Sequence, residues 1–212
     1  MTEYYIPTQE SEREFVEKRS RFIGHVWRVD SEEEARARIE ETKKRHYDAR
    51  HNCWCYILRE GPVRYSDDGE PQGTAGQPML NVFQREQVED VCCVVTRYFG
   101  GVLLGAGGLT RAYSRSAKDA LDAAGISVVR RWVEVSQTIP YALFERFKLE
   151  VEAQGGLLGQ VDYGSQIDAH VLLPETAVEP FALRLTELTA GQAAPEVRGE
   201  AFRAVPLKRE KK

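Results

Sequence analysis

The stretch Val91-Cys-Cys-Val-Val-Thr-Arg-Tyr-Phe-Gly-Gly-Val-Leu-Leu-Gly-Ala-Gly-Gly-Leu109 decides the fold of the first half of the chain. Its first part is continuously apolar, and together with residues 88–90 it predicts a strand over residues 88–98 that is central in its sheet. A glycine-rich loop follows. Small and apolar residues then recur at helical spacing over residues 109–124, and Gly125 ends the pattern.

A second glycine-rich loop lies upstream, Asp67-Asp-Gly-Glu-Pro-Gln-Gly-Thr-Ala-Gly-Gln-Pro78, ahead of a short helix predicted over residues 78–84. Residues 60–78 as a whole are rich in turn formers and are predicted to be irregular. Further upstream, the pattern predicts strands over residues 21–29 and 53–59. Between these strands we expect a helix that is capped by Ser31, since its first turn is acidic and its last turn is basic.

The second half of the chain has a different pattern. Its alternation and helical spacing predict the order β-α-β-β-α-β, which is the ferredoxin-like arrangement. The elements are expected at residues 132–139, 141–154, 159–165, 167–173, 175–190 and 197–205. We therefore expect an α+β protein of two α/β-sandwich domains, with boundaries at 1–130 and 131–205 and a basic tail over 206–212.

Composition limits the function. The 212 residues include 29 Lys and Arg against 33 Asp and Glu, a net charge of -4. This balance argues against a protein that coats nucleic acid by bulk charge, so any such contact needs a local basic patch. Because no apolar run suits a signal peptide or a membrane span, we expect a cytoplasmic protein with no membrane partner. Four cysteines are expected to be reduced core thiols: Cys53, Cys55, Cys92 and Cys93.

The two glycine loops are the candidate binding site. Each precedes a predicted helix, and free N–H groups at a helix start attract an anion such as a phosphate of RNA or of a nucleotide. The candidate anion or nucleic-acid site comprises Arg97, Tyr98, Gly100, Gly101, Gly107, Gly108, Arg111, Arg115, Thr74 and Gly76. Tyr98 and Phe99 offer rings for base stacking. The alternative interpretation, close-packed turns beside a solvated basic face, stays open.

Two groups of residues are candidate metal ligands, one acidic and one containing cysteines. Asp67, Asp68 and Glu70 form a possible acidic or metal cluster, or else a turn that bonds its own backbone and pairs with arginines. Cys53 and Cys55 share one strand face with His51, but same-face side chains on a strand lie about 6.5–7 Å apart, too far for two thiolates on one zinc ion. We expect no bound metal, no cofactor and no catalytic residue.

These residues resemble a known family. The stretches 65–78 and 94–113, together with residues 18–24 and 51–53, resemble the signature of the IMPACT/YigZ family. The resemblance implies an N-terminal domain like domain IV of elongation factor G and a C-terminal ferredoxin-like domain like its domain V. Cys55 departs from the family pattern, in which a small residue is expected.

The resemblance also implies a function. A member of this family is expected to be non-enzymatic and to regulate translation by binding RNA, the ribosome or a translation-associated protein. The competing hypothesis is a nucleotide- or metal-dependent phosphoryl-transfer or hydrolytic enzyme. Its phosphate loop would be residues 101–108, and Asp67, Asp68 or Glu70 would hold Mg²⁺. The identity of the partner and the oligomeric state stay open.

Overall fold

The structure is a computed structural model that describes residues 3–207. It divides into two compact units, residues 3–128 together with residues 204–207, and Val129–Arg203. The predicted tail beyond residue 207 lies outside the described residues. Between residues 3 and 207, no helix combines the length and apolar character needed to cross a membrane.

The first unit contains the predicted strands and helices in their predicted order, together with three strands that were not predicted. Its strands are β1 (Glu3–Pro7), β2 (Ser11–Glu17), β3 (Ser20–Arg28), β4 (His51–Ile57), β5 (Val63–Ser66) and β6 (Val91–Tyr98). Its helices are α1 (Glu32–Arg45), α2 (Gly76–Arg85) and α3 (Ala106–Ala124). Ser31 caps α1 as predicted, because its side chain accepts a hydrogen bond from the Glu34 N–H at 3.1 Å.

Five strands form an antiparallel sheet in the order β2-β3-β6-β4-β5. Helices α2 and α3 pack on one face, around Phe22, Cys53 and Val95, and α1 packs on the other. Strand β6 is central and buried on both faces, which confirms the prediction from its continuous apolar run. All four cysteines are buried free thiols in this sheet.

The register of this sheet brings its loops together. Strands β3 and β4 both run antiparallel to β6, so that Arg21 pairs with Tyr98 and His51 pairs with Arg97. The β2–β3 turn, the end of α1 and the glycine loop after β6 therefore all lie at the end of the sheet where β6 finishes.

The second unit has the predicted ferredoxin-like order, and this prediction is confirmed. Strand β7 (Ile126–Ile139) begins in the first unit and continues into the second, where it is followed by α4 (Phe144–Ala153), β8 (Leu157–Tyr163), β9 (Ile167–Pro174), α5 (Val178–Leu188) and β10 (Glu196–Pro206). The strands pair as β7-β9-β8, with β10 against β7. Residues of α4 and α5 such as Phe147 and Phe181 pack on the sheet to form its core.

Three strands were not predicted, and a fourth was predicted too short. The sequence of β2, Ser-Glu-Arg-Glu-Phe-Val-Glu, is mostly charged, which an edge strand tolerates because one of its faces and one of its edges meet solvent. Strand β1 was also missed. Strand β5 is an exposed edge strand within residues predicted to be irregular, and β7 starts six residues before the predicted position.

Candidate functional site

The first glycine loop, residues 67–75, is closed by its own carboxylate. Asp67 Oδ1 accepts hydrogen bonds from the N–H groups of Ala75 and Gly76 at 3.0 and 2.8 Å, and Asp67 Oδ2 accepts one from Gly73 at 2.8 Å. The anion at the start of α2 is therefore supplied by the chain itself. Thr74 is also internal, since its hydroxyl donates to the Pro71 carbonyl at 2.6 Å. Of the two interpretations of this loop, the close-packed turn therefore describes the structure, for Thr74 and Gly76 as well.

A buried ion pair ties this loop to the sheet. Arg97 Nη1 lies 2.7 Å from Glu70 Oε1, and the residues are only 5% and 8% exposed. The same carboxylate oxygen accepts the Tyr113 hydroxyl at 2.8 Å, and Arg97 Nη2 donates to Ser20 Oγ at 3.3 Å. The expectation that Arg97 contacts a ligand at the surface therefore needs correction, because alternation along β6 turns its guanidinium inward.

The residues that match the family signature meet at this ion pair. They include Ser20, Glu70, Arg97 and Tyr113. Strand β4 contributes His51 and Cys53. His51 Nδ1 lies 2.8 Å from the Asp68 carbonyl, with Nε2 3.8 Å from Glu70 Oε2, and the Cys53 thiol donates to the Asp67 carbonyl at 2.9 Å. In this chain the signature therefore builds a buried cluster that holds the first loop on the sheet.

The cluster offers little reactive chemistry. Burial raises the pKa of the Cys53 thiol and of the Tyr113 phenol, so both groups stay protonated and Cys53 is a poor nucleophile. The third carboxylate, Asp68, accepts the Asn52 N–H at 2.7 Å and faces Lys43 Nζ at 3.3 Å. Within the described part of the chain, no three His, Cys, Asp or Glu side chains are grouped so as to hold a metal ion.

The second glycine loop, residues 99–105, is open. Phe99 and Leu103 are 43% and 81% exposed. Helix α3 begins after Gly105 without a side-chain cap, and the N–H groups of its first three residues, 106–108, have no partner among residues 3–207. The expected glycines Gly107 and Gly108 thus lie at an uncapped helix start.

One glycine of this loop is required by close packing. Gly100 donates its N–H to Ser20 Oγ at 3.2 Å, and a Cβ on Gly100 would lie 2.0 Å from the carbonyl carbon of Arg19. The β2–β3 turn, where Lys18 and Arg19 have φ of 45° and 66°, therefore rests directly on the open loop.

A cavity of about 250 Å³ lies between this turn and α3. Phe15, Leu104 and Ala112 contribute apolar surface, Lys18, Arg111 and Arg115 contribute cations, and Glu17 contributes one carboxylate. Arg115 Nε lies 3.3 Å from Asp119 Oδ2, and the Arg115 guanidinium lies over the Phe15 ring. Lys18 and Arg111, in contrast, have no ion-pair partner within residues 3–207. The structure thus brings Gly107, Gly108, Arg111 and Arg115 together and leaves Thr74, Gly76 and Arg97 in the closed loop and its cluster.

Sequence reasoning missed several exposed residues at the same end of the sheet. The Arg50 N–H donates to the Arg97 carbonyl at 3.0 Å, which places residues 46–50 beside the end of β6. Tyr47 in this segment is 85% exposed. The run Lys43-Lys-Arg-His-Tyr-Asp-Ala-Arg50, cations around an aromatic residue, was the available signal. We call the exposed cationic and large apolar side chains at this end the basic end: Lys18, Arg19, Lys44, Tyr47, Arg50, Phe99, Leu103 and Arg111. One exposed carboxylate, Asp48, lies beside Tyr47, and its Oδ1 accepts the Tyr98 hydroxyl.

The other two expected residues near this end are placed differently. Tyr98 is half-buried, with its hydroxyl donated to Asp48 Oδ1 at 3.1 Å, and Gly101 is exposed in the open loop. The opposite end of the first unit carries six acids, which we call the acidic end: Asp30, Glu32, Glu33, Glu60, Glu89 and Asp90. Three of these acids are paired with arginines, Asp30 with Arg28, Glu32 with Arg36 and Glu60 with Arg59. Acids outnumber arginines at this end, so charge is distributed unevenly over the first unit.

Comparison with known proteins matches both halves of the chain. Residues 18–121 match the model of the Impact N-terminal domain, and residues 138–192 match a domain of unknown function, DUF1949. The chain is 38% identical to the IMPACT family member YvyE of Bacillus subtilis, over 90% of this chain and 88% of that protein. It is 33% identical to the IMPACT family member YigZ of Escherichia coli, over 82% and 87% of the two chains.

More distant similarity is also present. A Protein IMPACT homolog of Dictyostelium discoideum is 36% identical over 47% of this chain and 30% of that protein. A crystal structure described as that of an hypothetical protein superposes with a TM-score of 0.59 at 29% identity, covering 99% of this chain and 100% of the other.

Proposed function

Because the chain belongs to the IMPACT family, we propose that it is a non-enzymatic cytoplasmic regulator of translation that binds RNA, free or within the ribosome, through the basic end. The observation that carries the proposal is the open start of α3, where three N–H groups and the cations Lys18 and Arg111 lie together, none with a partner among the residues that the structure describes. A translation-associated protein is the alternative partner.

The chemistry of this region suits a phosphate group. Backbone N–H groups at a helix start are donors that carry partial positive charge, and glycines at positions 107 and 108 leave them sterically open. Lys18 and Arg111 add full charges, and Arg111 can present a forked pair of donors to phosphate oxygens. Contacts of this kind position a nucleic acid without reading its sequence.

The competing enzymatic hypothesis has less support. A Mg²⁺-dependent reaction would draw on Asp67, Asp68 and Glu70, but each of these carboxylates already accepts hydrogen bonds from the protein. Releasing Glu70 would leave the Arg97 guanidinium buried without its partner, which is costly. These contacts favour a structural role for the acidic cluster.

We also propose that residues 1–130 and 131–205 are separate domains, as the sequence pattern indicates. The two compact units and the separate family matches support this division. Under this proposal the RNA-binding surface belongs to the N-terminal domain.

RNA binding across a salt series tests the proposal. The double variant Lys18→Ala with Arg111→Ala should bind RNA at least about tenfold more weakly than wild type. It should also lose about 1.5 from the slope of log affinity against log salt, since two phosphate contacts are removed. The matched control is Arg64→Ala with Arg85→Ala, which removes two exposed cations elsewhere on the first unit and should leave both quantities unchanged.

Equal affinity and equal slope for wild type and the Lys18/Arg111 variant would contradict the proposal. Retention of a translation-associated protein after nuclease treatment, with no measurable RNA affinity in the purified chain, would favour the protein partner instead.

A further inference from the structure

We propose that the basic end binds single-stranded RNA in preference to duplex RNA, with unpaired bases stacked on the rings of Tyr47 and Phe99. This inference rests on the proposed function, because it requires that RNA be the ligand. It adds the class of RNA, and it pairs Tyr47 with Phe99, the ring that the sequence already suggested for base stacking.

Tyr47 is an exposed ring on a fixed backbone. Its neighbours are tied to the protein on both sides, because Asp48 Oδ1 accepts the Tyr98 hydroxyl at 3.1 Å and His46 Nδ1 lies 3.0 Å from the same hydroxyl. The Arg50 N–H is bound to the Arg97 carbonyl at 3.0 Å. Nevertheless the Tyr47 ring remains 85% exposed. A large ring held in solvent on an ordered segment costs little entropy to engage and is therefore suited to stacking.

Phe99 is supported from beneath. The Arg97 guanidinium carbon lies 5.4 Å from the centre of the Phe99 ring, and Arg97 is itself held by Glu70 and Ser20. The ring is 43% exposed at the start of the open loop. The buried ion pair thus gives Arg97 a positioning role, since it orients Phe99 without contacting the ligand.

Cations lie near these two rings in the chain. Lys44 and Arg50 are three residues before and after Tyr47, and Arg19 packs through its backbone against Gly100, the residue after Phe99. All three cationic side chains are exposed and have no ion-pair partner within the part of the chain that the structure describes. The adjacent carboxylate of Asp48 accepts the Tyr98 hydroxyl. Exposed rings and cations at one end of the sheet offer contacts for the bases and for the phosphates of a nucleic-acid strand.

This arrangement distinguishes single strands from duplexes. The bases of an A-form duplex are stacked on one another and their faces are not available to protein rings, whereas an unpaired strand can turn its bases outward. A duplex would engage only the cations of the basic end. The rings should therefore add affinity for single strands alone.

The test measures binding of the full chain to a short unstructured oligouridine and to an RNA duplex of the same length, by fluorescence anisotropy over a salt series. Wild type should bind the single strand at least about tenfold more tightly than the duplex. Replacing both rings, Tyr47→Leu with Phe99→Leu, should weaken single-strand binding by about tenfold or more while duplex affinity and the salt slope stay unchanged.

Two further variants sharpen the test. Tyr47→Trp keeps a stacking surface and should retain single-strand affinity in a Phe99 wild-type background. Tyr65→Leu removes an exposed ring on β5 that is 46% exposed and should have no effect on either RNA. Circular dichroism verifies that each variant is folded.

The outcomes separate the two proposals. Equal or tighter binding of the duplex, or single-strand affinity that survives loss of both rings, would overturn this inference and leave RNA binding by the cations intact. Absence of binding to both RNAs at low salt would overturn both proposals.

Discussion

The two loops of the first unit are both rich in glycine, but one is closed by hydrogen bonds and the other is open. Both precede a helix, and both contain glycines at the helix start. In residues 67–75 the Asp67 carboxylate accepts three backbone N–H groups, and the loop is closed. Residues 99–105 contain no acidic or hydroxyl side chain, and α3 begins without a cap.

This difference teaches how such loops should be interpreted. A glycine-rich helix start attracts an anion, but the anion can come from the chain itself. The informative observation is therefore whether the loop carries its own acceptor. By that criterion only the second loop leaves donors available to a ligand.

The largest effect is expected from the ion pair that secures the closed loop. Glu70→Gln removes the charge that compensates the buried Arg97 guanidinium, so the free energy of unfolding should fall by about 3–5 kcal/mol. Chemical denaturation measures this change. Glu60→Gln is the control, since that side chain is 86% exposed, and it should change stability by less than about 0.5 kcal/mol. A loss below about 1 kcal/mol for Glu70→Gln would show that the closed loop does not depend on this pair.

The next effect concerns the carboxylate that closes the loop. Asp67→Asn removes charge-assisted acceptance of three N–H groups and should cost about 1.5–3 kcal/mol. Hydrogen exchange reports the loss of these hydrogen bonds directly. The amides of Gly73, Ala75 and Gly76 should be protected in wild type and should exchange faster in the variant. Alkylation of Cys53, which lies under Asp67, should also become faster.

The same exchange experiment contains its own comparison. The amides of residues 106–108 should exchange rapidly in both proteins, because they have no partner within the described residues. Protection of these amides equal to that of Ala75 and Gly76 in wild type would contradict the contrast between a closed and an open loop.

The smallest effect distinguishes the glycines of the two helix starts. A Cβ on Gly76 would lie 2.8 Å from the Ser66 carbonyl oxygen, so Gly76→Ala should destabilise the protein by about 1–3 kcal/mol. A Cβ on Gly107 would meet only the end of the Arg111 side chain at 3.5 Å. Gly107→Ala should therefore stabilise the protein by about 0.5–1 kcal/mol through higher helix propensity. Thermal unfolding of the two variants measures both changes in stability. If both variants were stabilised, or both destabilised, the two helix starts would not differ in the way proposed.

Much of the fold could be predicted from local pattern. Short stretches of sequence were enough to predict three features: the buried strand β6 from its apolar run, helix α1 from its Ser31 cap and ordered charges, and the strands of residues 132–205 from their alternation. Strand β2 could not be recognised in this way, because an edge strand of mostly charged residues has no apolar signature. Its existence depends on pairing with β3.

The candidate site was harder to predict because its contacts are distant in sequence. Arg97 was expected at the surface, although its alternation with Cys93 and Val95 on β6 already placed it on a buried face. Its partner Glu70 lies 27 residues earlier in the chain, and nothing local indicates that pairing. Tyr47 is brought to this end of the sheet by the antiparallel register of β4 and β6 and by the hydrogen bonds of its neighbours to Tyr98.

The separation of charge between the basic end and the acidic end affects how the first unit is oriented as it approaches a polyanion. A body with cations at one end and carboxylates at the other experiences a torque in the field of a polyanion, even when its net charge is negative. The first unit should therefore rotate its cations forward as it approaches, over distances up to about 10 Å at moderate ionic strength. Collisions then begin in a favourable orientation, and added salt slows association by randomising that approach.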